Sequence, residues 1–372
     1  MIAKKGNFVR GPRSSALLRR LAIGTFGVWS AIAPVGHAQS TPISPNAGAP
    51  AAADSAQPSA PRNFLVDEAS AYARFQTSLD ALRTNAMASN NDLNRAFASI
   101  AGQEIPSVGR GWLAFSALIA ARNPEFAASV RKEAELYTRE HMLKVFASAS
   151  PYVRKLAGAD AATQAVLAAA KGDAGRIASQ GDRFFRLGYD LQASSWGKGR
   201  DSGDSIRAQI STARVSNASG AGGAATENNS LIGTLGGQLF SAFSTSPTAT
   251  SFWDHISASK QETAQLTSYS LATKQSTSLQ VNPARENTMN AILSLAAYSI
   301  LEGDAKNAEP LLAERASTQC FRDEDDGFKQ CVTAMTERFS RSACIGNHAL
   351  GGTPHPGEDG HGLRHCVAGL VR

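Results

Sequence analysis

A chain of 372 residues with 42% apolar side chains is long enough for one large domain or two ordinary ones and apolar enough to bury a core, which excludes a wholly disordered protein. Its formal net charge of +6 is concentrated at the start, where Lys4, Lys5, Arg10, Arg13, Arg19 and Arg20 stand without a single acid in residues 1–38. The remainder is formally neutral, and the electrostatic case for a nucleic-acid partner goes with it, because phosphate binding needs a basic surface.

Those six cations precede the apolar stretch LAIGTFGVWSAIAPV and the small residues Gly36 and Ala38, the layout of a signal peptide over residues 1–38 with a mature start at Gln39. The apolar run is broken by Gly and Pro and falls short of the roughly 20 residues a membrane-spanning helix needs, so no transmembrane span is expected after cleavage. Arg19 and Arg20 loosely resemble a twin-arginine export signal, a pattern too loose to separate two export routes. Residues 39–62 are rich in Pro, Ala and Ser and poor in large apolar side chains, and they read as a disordered tether.

A mostly α fold is expected from there on, an irregular multi-helix array with a disulfide-stabilised, loop-rich C-terminal tail. A first helical domain is assigned to residues 63–215. Leu65, Tyr72, Phe75, Leu79 and Leu82 share one helix face, and Leu93, Phe97 and Ile100 repeat the pattern after a turn and cap at Asn90 to Asp92. The stretch from Gly111 to Ala121 is apolar nearly all round and predicts a short buried helix. Asn123 and Pro124 open the next, expected to run to Pro151. Two more are predicted from Ala159 to Ala170 and from Asp173 to Ser195.

Residues 216–251 turn to Gly, Ala, Ser, Thr and Asn and read as a flexible segment. Within it Leu231, Leu235, Leu239 and Phe243 recur every four residues, and Gly233 with Gly237 has a small-xxx-small spacing, read as a short docked helix. Helices resume in a second region, residues 252–372, with Asn282 and Pro283 opening one that Gly303 closes and a shorter one near Asn307 to Arg315 forming a hairpin with it.

The chain carries no phosphate-binding glycine loop, no dinucleotide fingerprint, no nucleophile elbow and no His-Glu-x-x-His. Ser129 with Lys132 and Ser257 with Lys260 have the Ser-x-x-Lys spacing without a Lys-Thr-Gly partner. Trp253, Asp254 and His255 are neighbours in sequence that do not face each other on a helix or strand. No catalytic residue and no cofactor are assigned.

Cys320, Cys331, Cys344 and Cys366 all lie near the C-terminus, together with His348, His355, His361 and His365. An even cysteine count in an exported chain reads as two disulfides. Sequence alone leaves the three pairings open. The sequential one, Cys320 with Cys331 and Cys344 with Cys366, is favoured because Cys331 is read as opening a helix shared with Met335 and Phe339, with Cys320 in the preceding turn. That pairing would enclose the four histidines in a loop held by sulfur, and the alternative makes them metal ligands. The run Asp323 to Asp326 is read as a solvated turn, since it fails calcium-loop spacing.

The function expected from these signals is that of an exported helical binding or scaffolding protein of a bacterial cell envelope, periplasmic or secreted and not an enzyme. Its expected partner is another envelope protein or a cell-wall component, and no nucleic acid. The alternative is an envelope enzyme or metal-handling protein that uses the Cys/His tail.

Overall fold

The computed structural model describes residues 63–84, 87–223, 278–352 and 360–372. Residues 1–62, where a signal peptide and a tether are expected from the sequence, residues 224–277 with the Trp253, Asp254 and His255 cluster, and His355 lie outside the described residues.

Helices α1 (Phe64–Thr84), α2 (Asn90–Ala101) and α3 (Ile105–Ala121) begin the array. Ser89 caps α2, its Oγ accepting from Asp92 N at 3.3 Å, one residue before the predicted cap. In α3 the residues from Gly111 to Ala120 are buried, so the helix that is apolar all round lies at the centre. Gly111 lets α1 approach it closely, because a Cβ there would sit 2.7 Å from Tyr72 N.

Asn123 accepts from Phe126 N at 2.9 Å and opens α4 (Pro124–Tyr137). The helix predicted to run on to Pro151 breaks instead at Thr138, whose φ of 70° reorients the chain into α5 (Arg139–Ala147). A 3-10 turn (Pro151–Lys155) leads into α6 (Ala159–Ala193), a single 35-residue helix where two were expected. Gly172 did not stop it because Ala170, Asp173, Ala174 and Ile177 around it are buried, and tertiary packing outweighs one glycine's weak helix propensity. Helix α7 (Gly203–Gly223) continues past Val215 into the Gly-rich composition.

After the undescribed segment come α8 (Glu286–Ile300), α9 (Ala305–Leu312), α10 (Arg315–Ala334) and α11 (Arg338–Cys344). A π-helical turn (Ile345–Leu350) and α12 (Gly362–Ala368) complete the order. Helix α8 is buried from Thr288 to Ser299, and Phe64 of α1 meets its Tyr298 edge to face with ring centroids 6.3 Å apart. Helices from both sides of residues 224–277 therefore contribute to one continuous core. Among the described residues, β pairing is limited to two isolated bridges, Arg200 with Glu337 and Val281 with Val371. No described helix is long and apolar enough to cross a membrane.

Both disulfides connect the tail to α10, as Cys320–Cys366 and Cys331–Cys344. This corrects the sequential pairing. Cys320 and Cys331 lie on one continuous helix, eleven residues or about 16 Å apart, whereas a disulfide needs Cα atoms within about 7 Å. In the observed pairs that distance is 5.7 Å. The expected helix through Met335 and Phe339 is absent, since α10 ends at Ala334 and Met335 is exposed. The acidic run, expected as a turn, also lies inside α10, where Asp325 is buried between Arg214 of α7 at 2.8 Å and Lys329 at 2.7 Å.

Candidate functional site

Helix α6 carries Lys171, Gly175, Ser179, Asp182 and Arg186 at steps of four, four, three and four, so they form one stripe on the side away from Ile177 and Phe184. Opposite this stripe lies α12, which presents Arg364 and Ala368, followed by Val371 and Arg372. Residues 279–282 form a strap beside it. Gln164 of α6 pins Leu279, donating to its carbonyl at 2.7 Å and accepting from its N–H at 3.1 Å. Asn282 N donates to Leu370 O at 3.0 Å and Arg372 N to Gln280 O at 2.8 Å.

Between these walls runs an open groove of about 560 Å³. Its middle is lined by small and apolar side chains, Ala174, Ala178, Ala368, Leu279 and Val371. A Cβ on Gly175 would meet nothing within 4 Å, so the α6 wall is bare there. Lys171, Arg186, Arg364 and Arg372 line the groove, and among the described lining residues Asp182 is the one acidic side chain. None of these four cations has an ion-pair or hydrogen-bond partner among the described residues. Asp182 leans toward the Gly351–Gly352 turn, where a Cβ on Gly352 would lie 2.6 Å from its Oδ1.

The tail that forms one wall is seated by backbone contact. A Cβ on Gly346 would be 2.7 Å from both Gly181 O and Phe185 N of α6, so the π-helical turn lies directly on the helix backbone. Ser342 Oγ adds a bond to Phe184 O at 2.7 Å.

Three of the four sequence-highlighted histidines are described, and they gather beside Glu324 of α10 rather than in the groove. Glu324 Oε2 accepts from Gly362 N at 2.7 Å. The rings of His348 and His361 lie 6.0 Å apart. Burial pushes the Glu324 carboxyl above its ordinary value, and burial, then the neighbouring His361, pushes His348 below its own. Among the described residues no three His, Cys, Asp or Glu side chains converge in a way that could hold a metal ion. His348, His361 and His365 sit between two elements that sulfur already fixes, Cys344 to Cys331 and Cys366 to Cys320.

Sequence reasoning missed the groove. Lys171 and Arg186 share a stripe that helical spacing can show, but Arg364 and Arg372 join them only through long-range contacts, among them the Cys320–Cys366 bond and the strap. Ser129, the described member of the Ser-x-x-Lys pairs with Lys132, donates to Phe126 O at 2.8 Å and Ala157 O at 2.9 Å, a bond pattern that ties α4 to the chain entering α6. No protein-family model, no curated protein and no solved structure matches the chain.

Proposed function

We propose that this is a non-enzymatic binding or scaffolding protein of a bacterial cell envelope, exported to the periplasm or beyond, that engages another envelope protein or a cell-wall component. The groove between α6 and α12 carries this reading: it is open, cationic and lined by small side chains, with no His or Cys among the described residues that line it. Such a surface can hold an anionic partner. Two disulfides support an oxidising compartment, and the basic, apolar and small-residue order of residues 1–38 supports export.

Metal analysis of the mildly purified mature protein tests this against a metal-handling role for the tail. Far less than one metal ion per chain is expected, and stoichiometric zinc or copper overturns the proposal.

A further inference from the structure

The geometry points to an extended acidic peptide segment of a partner protein as the occupant of the groove between α6 and α12. This rests on the binding reading above and names the partner's chemistry. The argument begins with length. Lys171 and Arg186 are fifteen residues apart on a continuous helix, about 22 Å, so their charges cannot converge on one phosphate or one small carboxylate. An extended chain covers that distance with about seven residues at roughly 3.3 Å each.

Charge and shape agree. Cations stand on both walls, Lys171 and Arg186 on α6 and Arg364 and Arg372 across from it, and none is committed elsewhere among the described residues. Between them the lining is Ala174, Ala178, Leu279, Ala368 and Val371, which suits the small or apolar side chains that alternate with acidic ones along an extended peptide. A single-stranded nucleic acid would share the charge but needs aromatic platforms for its bases, and among the described residues no aromatic side chain lines the groove.

The test uses the full mature chain and a fluorescein-labelled octapeptide of alternating Glu and Ala, read by fluorescence anisotropy. Saturable binding at roughly micromolar affinity is expected. It should weaken by about tenfold or more in Arg186→Glu/Arg364→Glu and with added salt, and remain unchanged in Arg131→Glu/Lys132→Glu, which alters two exposed cations of α4. Lys171→Gln/Arg372→Gln, which introduces no new charge, replaces the first variant if its thermal unfolding shows that it is misfolded. Absence of binding, equal loss in the α4 variant, or binding of oligothymidylate or polygalacturonate in preference to the peptide overturns the inference. The metal analysis is untouched by any of these outcomes, so failure here and failure of the broader reading are distinguishable.

Discussion

Arg341 is wholly buried, a costly place for a guanidinium, and its surroundings explain why it is tolerated. It pairs with Asp201, donates to Asn94 Oδ1 at 2.9 Å and lies 5.3 Å from the centre of the Phe97 ring. Asp201→Asn leaves that cation buried and uncompensated, so urea unfolding should show a loss of about 3–5 kcal/mol, while Arg341→Met, which removes the charge itself, should cost clearly less. The histidines give a pH signature of definite sign. His348 is neutral in the fold and held below the ordinary 6.5, so its contribution is complete above that pH and lost as pH falls through its folded value. Glu324 acts oppositely, because its raised carboxyl costs stability when ionised and that cost is relieved as pH falls toward 4.5. His348→Gln should therefore flatten the decline in stability below pH 6.5, and Glu324→Gln, which keeps an acceptor for Gly362 N–H, should steepen it. Unfolding midpoints across that range check both, and identical profiles for all three proteins refute the assignment.

At the scale of elements, α10 joins the molecule together. Phe321 packs on Trp112 of α3 and Phe328 on Phe97 of α2, both with centroids 6.0 Å apart, while Asp325 holds Arg214 of α7. Its N-terminus is capped by Glu314, which accepts from Ala316 N at 2.9 Å, Ser317 N at 2.8 Å and Thr288 Oγ1 at 2.9 Å. Glu314→Ala should cost roughly 0.5–2 kcal/mol in denaturant unfolding. The sequence pattern made most helices legible, because a helix needs only its own apolar stripe and caps, as Leu65 to Leu82 and the Asn123–Pro124 pair illustrate. It failed on α10 because four acids in succession resemble a solvated turn. Only the burial of Asp325 against Arg214, 111 residues away, shows why they stay helical. The disulfide pairing failed for the same reason: with α10 continuous, Cys320 and Cys331 share a face but not a reach. The groove was illegible because its two walls lie about 190 residues apart in sequence, and one of them, α12, is held by a disulfide to α10 whose pairing sequence alone leaves open.

For the whole molecule, the two disulfides are unequal in what they hold. Cys331–Cys344 closes 13 residues and Cys320–Cys366 closes 46, so chain entropy assigns them about 3 and about 4 kcal/mol when each is taken alone. The first fixes α11, which is also seated on α6 by Ser342 and, through the π-helical turn that follows it, by Gly346. The second fixes α12, a seven-residue helix too short to persist without tertiary support. Its remaining anchors are the Glu324 bond to Gly362, the strap at residues 280–282 and its few buried side chains. Cys320→Ser/Cys366→Ser should therefore leave the shared core of α3 and α8 intact and loosen α12. Hydrogen exchange should report faster exchange at amides 363–370 with protection retained from Leu113 to Ala120 and from Ala291 to Tyr298. Because Arg364 and Ala368 form one wall of the groove, affinity for the acidic peptide should fall with that loosening, whereas Cys331→Ser/Cys344→Ser should spare it. Uniform loss of protection in α3 and α8 would mean that the tail is part of the cooperative core, and the groove would then have no separately held wall.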